Sequence, residues 1–168
     1  MPDAQPKTFD IRDFMPYLVA RVGSLMAQSF APPMEAAGIT LDMWRVLMVL
    51  HFNGPLTLIE ISRNTGVKTS TLSRLVGRMA DKRLVTRRRS RQDARTVQIS
   101  LRREGEAMFQ DLWPAAAWSE DIVTAPFSAA DVERLKAMLR EIETILVAQV
   151  DAAAREARDR KDVAAADG

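Results

Sequence analysis

The chain has 168 residues, of which 47% are hydrophobic and 27% charged, as is ordinary for one globular domain. It contains no cysteine, which excludes thiol redox sensing, cysteine-bound zinc and cysteine nucleophiles. Residues 1–10 lack the apolar stretch of a signal peptide, and the longest apolar run, 46–50, is far shorter than the about 20 residues of a membrane span. We therefore expect a cytoplasmic protein without a membrane segment.

Positive charge is concentrated in one part of the chain. Residues 68–103 hold twelve of the 24 basic residues but two of the 22 acidic ones, which gives this segment a formal charge of +10. The remaining residues carry −8, so the overall charge of +2 conceals a strongly polarised molecule. Such a concentration of basic residues predicts a surface for a polyanion.

Apolar residues at helical spacing predict a first helix over residues 11–30, after a flexible N-terminus of residues 1–10. Because proline is tolerated only in a first turn, Pro16 allows the helix to begin a few residues after Ile11. Pro32 and Pro33 are expected to break this helix.

A second helix is predicted from Leu41 to Phe52. Thr40 offers its N-cap, and the sequence Asn53-Gly54-Pro55 ends it, because glycine suits a left-handed cap and proline cannot continue the hydrogen-bond ladder.

The next segment has the order of a helix-turn-helix. Thr57 and Glu60 match a capping box, which predicts a short helix to about Asn64, and Thr65-Gly66 supplies a turn. A helix of about Lys68 to Lys82 follows. One face carries a buried stripe of Leu72, Leu75, Val76 and Met79, and the other face carries Ser70, Ser73, Arg74, Gly77 and Arg78.

Two β-prone runs, 84–89 and 96–101, are joined by the polar segment 90–95 and predict a hairpin. Val97, Ile99 and Leu101 alternate with polar residues, as in a half-buried strand. A helix-turn-helix followed by such a ribbon is a winged helix-turn-helix, here over residues 55–101.

Two further helices are predicted after residue 102. The first carries Met108, Leu112 and Trp113 and contains Pro114, which is expected to kink it. The second begins after Ser128, and its wide apolar stripe consists of Leu135, Met138, Leu139, Ile142, Ile145 and Leu146. The tail, residues 151–168, is charged and alanine-rich without an apolar face, so we expect it to fray or to be disordered. The predicted fold class is mostly α.

The order of these elements resembles the multiple-antibiotic-resistance regulator (MarR) family over about residues 9–150. The resemblance rests on Leu58 to Ser62, the helix segment Ser70 to Val76, Leu84-Val85 and the wing segment Asp93-Ala94-Arg95. The chain departs from the family pattern at Arg83, where a glycine is usual before the first wing strand, and at Arg102, where threonine is common.

The resemblance implies a single domain of residues 11–150 that forms a homodimer. In such a dimer, helices within 11–38 and 103–150 make the dimerisation layer, and the winged lobes bind double-stranded DNA. It also implies a ligand-responsive repressor that acts on a pseudo-palindromic operator.

The exposed face of the second helix of the motif is short and polar, which suits the major groove, and the arginine-rich hairpin suits phosphates. The resemblance further implies that Arg95 reaches the minor groove, while Asp93 orders the wing loop. The candidate DNA-binding residues are Lys68, Thr69, Ser70, Thr71, Ser73, Arg74, Arg78, Arg87, Arg89, Arg91 and Arg95.

A small aromatic or anionic effector is a further partner that the resemblance suggests, bound where the dimer layer meets the winged lobe. The candidate contacts are Tyr17, Arg21, Trp44, Met48, His51 and Trp113. The alternative for Trp44 and Met48 is ordinary core packing, and the alternative for His51, the chain's one histidine, is a capping or surface role.

The alternatives to a regulator are an enzyme, an architectural DNA binder and a winged helix for protein contacts. An enzyme is disfavoured, because one histidine, no cysteine, no glycine-rich phosphate loop and no metal-ligand cluster leave nucleophilic and metal mechanisms without parts. We expect no cofactor and no metal. The stronger alternatives are an architectural DNA binder and a winged helix used only for protein contacts.

Overall fold

The computed structural model describes residues 10–89 and 96–166. The chain divides into two compact units between Glu120 and Asp121. After a short 3₁₀ turn, Ile11–Asp13, the helices are α1 Met15–Ser29, α2 Ala31–Ala36, α3 Leu41–Asn53, α4 Leu58–Thr65, α5 Thr69–Asp81, α6 Arg103–Thr124 and α7 Ala129–Ala166. The strands are β1 Leu56–Thr57, β2 Val85–Arg89 and β3 Val97–Leu101.

Prolines determine where the first helices begin. α1 begins at Met15 with Pro16 in its first turn, which confirms the late start. Pro32 and Pro33 lie in the first turn of α2, so they begin a short helix rather than only breaking the preceding one. The first amides of a helix have no partner within it, so the missing N–H of proline costs little there.

The core forms around α3. The Thr40 hydroxyl accepts a hydrogen bond from the Met43 amide at 3.3 Å, as an N-cap should, and the helix ends at Asn53 before Gly54. The buried residues of α3 are Met43, Trp44, Val46, Leu47 and Leu50. These side chains join the buried stripe of α5, so that α3 and α5 share one hydrophobic core.

The helix-turn-helix has the predicted caps. The Glu60 carboxylate accepts from the Thr57 amide at 2.7 Å, and the Thr57 hydroxyl accepts from the Glu60 amide at 3.2 Å, which completes the capping box. α4 ends at Thr65, and Gly66 follows in the left-handed region with φ of 70°. The α5 residues Leu72, Leu75, Val76 and Met79 are all buried, as predicted.

The wing belongs to a three-stranded antiparallel sheet with the order β1-β3-β2. β2 and β3 pair from Val85 with Leu101 to Arg89 with Val97, which confirms the hairpin strands. β1 was not predicted; its Leu56 pairs with Ile99. Ile99 is fully buried, but Val97 is 47% exposed, so the predicted apolar alternation of β3 holds only near the base of the hairpin.

The turn between α5 and β2 is strained. Arg83 has φ of 61°, the one described non-glycine residue with positive φ. This conformation costs an L-residue about 1–2 kcal/mol, which explains why glycine suits this position. The turn is closed by the Arg83 and Leu84 amides, which donate to the carbonyls of Ala80 and Met79 at 2.9 Å each.

α6 begins against the same turn. The Arg102 amide donates to the Leu84 carbonyl oxygen at 3.0 Å. Gly105 is buried, and a Cβ atom at this position would lie 2.1 Å from that oxygen. Only glycine therefore lets the first turn of α6 pack this closely. The helix continues through Pro114, and its buried side chains are Phe109 and Leu112.

The second unit is mainly α7. The Ser128 hydroxyl accepts from the Asp131 amide at 3.2 Å, as predicted for the N-cap. The helix continues to Ala166, whereas we expected residues 151–168 to fray or be disordered. Alanine, arginine and glutamate are strong helix formers, and Arg160 pairs with Glu156 at 3.5 Å one turn earlier. Among the described residues, no helix combines the length and apolar composition that crossing a bilayer requires.

Candidate nucleic-acid interface

The exposed face of α5 carries the predicted polar residues. Lys68 is the N-cap position, and the remaining members of the set all lie on the helix and are exposed: Thr69, Ser70, Thr71, Ser73, Arg74 and Arg78. We call this set the α5 polar face. It lies opposite the buried stripe, so the hydrophobic core holds the helix while its hydroxyls and guanidinium groups point to solvent.

Hydroxyl groups fix the turn between α4 and α5. The Ser62 hydroxyl donates to the Val67 carbonyl at 2.7 Å, and the Thr69 hydroxyl donates to Ser62 Oγ at 3.3 Å. Val67 is buried in the core. These bonds and this contact set the position of α5 before any ligand binds, and they engage Thr69 partly within the protein.

Arg87 has an internal partner. Its Nη2 atom donates to the Ser73 carbonyl oxygen of α5 at 2.8 Å. The same atom would lie 3.9 Å from a Cβ at Gly77, so the guanidinium passes directly beside the helix backbone. Arg87, predicted as a DNA contact, therefore joins β2 to α5. This bond could not be predicted from the sequence, because its acceptor is a backbone atom 14 residues away.

The other predicted wing residues are only partly described. Arg89 is exposed on β2, on the same strand face as Arg87 because successive side chains alternate. Arg91 and Arg95, and with them Asp93, lie outside the described residues.

Three of the effector candidates meet in an aromatic group centred on Phe109 of α6. The Phe109 ring stacks on His51 with centroids 3.9 Å apart and on Trp44 at 5.4 Å, and it lies 5.4 Å from Trp113. Phe52 packs edge-on against His51 at 4.9 Å. We call His51, Phe52, Phe109, Trp44 and Trp113 the aromatic cluster. It links α3 to α6 by stacked rings.

His51 also has a carboxylate partner in α6. Its Nδ1 atom lies 2.9 Å from one Glu106 oxygen and 3.1 Å from the other. Gln110 Nε2 donates to Glu106 at 3.0 Å. The hydrogen bonds from Gln110 and then from His51 hold the pKa of the Glu106 carboxyl below its usual value. An ionised Glu106 accepts a hydrogen bond from the N–H at His51 Nδ1.

The effector candidates differ in their accessibility. Trp44 is 4% exposed and Met48 is half-buried against the core, as the packing alternative requires, whereas Trp113 is 40% exposed. Tyr17 and Arg21 line a shallow cavity of about 280 Å³ on α1. Within residues 10–89 and 96–166, no hydrogen bond, ion pair or ring contact joins either of them to the aromatic cluster.

Sequence reasoning missed Glu106, Phe109 and Phe52. Gly105, Phe109 and Leu112 are spaced by four and three residues and form the buried face of α6. That spacing was available in the sequence, but the apolar residues of this helix were predicted as Met108, Leu112 and Trp113, a set that omits Phe109.

Known proteins that are similar to this chain are transcriptional regulators. A sequence profile of the MarR family matches residues 37–96. The HTH-type transcriptional repressor IacR of Pseudomonas putida is 28% identical over 143 residues, 83% of this chain and 84% of that protein. The regulator FarR of Neisseria gonorrhoeae is 26% identical over 73% of this chain and 83% of its own length.

Solved structures match over most of the chain. A MarR-family regulator from Silicibacter pomeroyi is 25% identical with a TM-score of 0.69, covering 76% of this chain and 86% of that one. NadR in complex with 4-hydroxyphenylacetate has a TM-score of 0.71 at 24% identity, over 83% of this chain and 98% of that one. In its winged helix-turn-helix, its capped α4 and its arginine-rich hairpin, this chain is similar to the MarR family of transcriptional regulators, whose profile matches residues 37–96.

Proposed function

We propose that this chain is a cytoplasmic homodimeric repressor that binds a pseudo-palindromic operator and responds to a small aromatic effector. The observation that carries the proposal is the α5 polar face, presented on a helix whose opposite side is wholly buried. Hydroxyls and arginines on such a helix can reach base edges and phosphates in the major groove. The neighbouring β2 arginines extend the positive surface.

The homodimer is supported by apolar residues that a single chain leaves exposed. Leu18, Val22 and Leu25 lie at helical spacing on α1 and are each between 42% and 53% exposed. On α7 a longer row is exposed in the same way: Leu135, Met138, Leu139, Ile145, Leu146 and Val150. Apolar rows of this length are typical of association surfaces, and a second copy of the chain is the occupant we propose.

The aromatic cluster supports an effector that contains a ring. Trp113 and Phe52 are partly exposed, and both rings pack against Phe109. Two proteins of the same fold are described with aromatic acids, NadR with 4-hydroxyphenylacetate and BpsR with 6-hydroxynicotinic acid. We propose that a compound of this class stacks on the exposed aromatic rings and that Tyr17 and Arg21 belong to the same site.

The DNA-binding part is tested with operators selected by the purified protein from a random duplex pool, together with the DNA beside its own gene. We expect binding about 10³-fold or more tighter to the selected site than to random DNA at one fixed salt concentration. Arg74→Ala should abolish most of this preference, whereas Arg134→Ala on α7 serves as the control. Equal affinity for both DNAs would instead identify an architectural binder.

The effector part is tested by adding 4-hydroxyphenylacetate or 6-hydroxynicotinate to the protein–operator complex. We expect release of DNA and a rise in Tm of the free protein, because a ligand that binds the folded state stabilises it. Trp113→Ala should lose both effects, while Trp118→Ala, a change of an exposed tryptophan on the same helix, should keep them. Release that survives Trp113→Ala would place the effector elsewhere.

A further inference from the structure

A cavity of about 510 Å³ lies at the base of the wing. It is bounded by β2, β3 and the first residues of α6, and its polar lining consists of Thr86, Arg88, Ser100, Arg102, Arg103 and Glu104. We call it the wing-base cavity. Its three arginines, Arg88, Arg102 and Arg103, belong to the basic segment 68–103 but to neither the α5 polar face nor the aromatic cluster.

The pairing of the strands explains why these side chains meet. Thr86 lies opposite Ser100 in the β2–β3 ladder, so the two hydroxyl-bearing residues are cross-strand neighbours on one face. Arg88 lies two residues after Thr86 on that face, whereas Arg87 and Arg89 point to the opposite one. The wing therefore has two arginine-bearing faces, of which one turns toward α5.

The cavity carries positive charge that the protein does not neutralise. Arg102 Nε lies 3.7 Å from Glu104 Oε2, longer than a hydrogen bond, and both side chains are almost half exposed. Arg88 and Arg103 make no ion pair with any residue in the part of the chain that the structure describes. Three guanidinium groups thus face one carboxylate, and two hydroxyls stand beside them.

We propose that the wing-base cavity binds a phosphate group. Guanidinium groups supply paired donors that match phosphate oxygens, and Thr and Ser hydroxyls add donors of the right length. A DNA backbone phosphate and a free phosphorylated small molecule share this chemistry. With DNA as the source, the inference rests on the proposed function and adds a backbone contact to it, whereas the residues that would select an operator lie on α5.

The first experiment examines DNA as the source of the phosphate. Affinity of the full-length protein for a long duplex carrying the selected operator is measured between about 50 and 200 mM salt, for wild type, Arg102→Gln and Arg88→Gln/Arg103→Gln. Each lost phosphate contact should reduce the slope of log K against log salt by about 0.9. We also expect roughly a twofold to fivefold loss of affinity per arginine near physiological salt. Arg134→Gln is the charge-matched control.

The second experiment examines a free phosphate compound. Tm of each protein is measured against rising concentrations of sodium tripolyphosphate, with sodium chloride matched for ionic strength. Binding in the cavity predicts a rise in Tm for wild type and Arg134→Gln that the double variant loses. A lowered DNA slope without a tripolyphosphate effect assigns the site to DNA, and the reverse assigns it to a free ligand.

The inference is overturned if the cavity variants match Arg134→Gln in both experiments. Near-wild-type Tm of the variants without ligand shows that they are folded, which is expected because the replaced side chains are exposed. Failure of the proposed function is distinguishable, since it would appear as equal binding of wild type to selected and random DNA.

Discussion

Gly105→Ala tests the contact between α6 and the turn before the wing. A methyl group at this position would lie 2.1 Å from the Leu84 carbonyl oxygen, 2.9 Å from its carbon and 3.3 Å from Leu101 Cδ2. An ordinary contact needs about 3.4 Å, so α6 must move by roughly 1.3 Å or the turn must yield. The movement would also stretch the 3.0 Å hydrogen bond from the Arg102 amide to the same oxygen.

The expected effect on stability follows from opposing contributions. Helix propensity alone would make alanine about 1 kcal/mol better than glycine. Overpacking costs about 1–3 kcal/mol, and a weakened hydrogen bond costs about 1 kcal/mol. The net expectation is a loss of about 1–3 kcal/mol in the free energy of unfolding. For a chain of this size that lowers Tm by about 2–4 °C for each kcal/mol.

The measurement is urea unfolding followed by circular dichroism at one fixed protein concentration, since association would otherwise shift the midpoint. Gly23→Ala on α1 is the matched control, because no atom lies within 4 Å of its added Cβ and propensity alone should act. The control should equal or exceed wild type in stability. If Gly105→Ala is as stable as Gly23→Ala, the close packing described for α6 is incorrect.

Three further predictions concern the wing and the cap. Arg83→Gly should raise the free energy of unfolding by up to about 1 kcal/mol, since relief of the left-handed φ outweighs the added chain entropy, and Arg83→Val should lower it. Thermal melts measure both effects. Equal Tm values for wild type and the two variants would contradict the strain at Arg83. Arg87→Ala should accelerate hydrogen exchange of the β2 amides and weaken operator binding, but it should not lower the slope of log K against log salt. Arg89→Ala should lower that slope by about 0.9. A lowered slope for Arg87→Ala would identify Arg87 as a phosphate contact instead. The Thr57 amide and then its hydroxyl hold the pKa of Glu60 below its usual value, so Glu60 stabilises the fold above its unfolded pKa and this contribution is lost as pH falls through the folded pKa. The stability difference between wild type and Glu60→Ala, measured by urea unfolding at several pH values, should shrink toward acid, and a constant difference would contradict the capping role.

Signals that are local in sequence predicted most of the fold. The capping box at Thr57 and the four-residue stripe of α5 depend on spacings of three and four residues, and the structure has both. β1 escaped prediction because two residues carry no periodicity, and it exists only through pairing of Leu56 with Ile99. The positive φ of Arg83 likewise results from the closed turn around it rather than from the residue itself.

The candidate sites were less predictable than the fold. The exposed residues of α5 follow directly from its buried stripe, so their placement could be read from the sequence. Arg87 could not be separated from its neighbouring arginines, because charge alone does not reveal a backbone acceptor on another element. Phe109 is the centre of the aromatic cluster, and its importance comes from partners on α3 that are more than fifty residues away.

The short strand β1 restricts how the wing strands can move relative to α3. β3 has a hydrogen-bonded neighbour on each side, and one of them, β1, is separated from the end of α3 only by Gly54 and Pro55. The base of the wing is therefore not a hinge, since tilting β3 would require breaking a ladder or dragging the end of α3 with it. A displacement of α3 is therefore transmitted through β1 and β3 to β2, the strand that carries Arg87, Arg88 and Arg89.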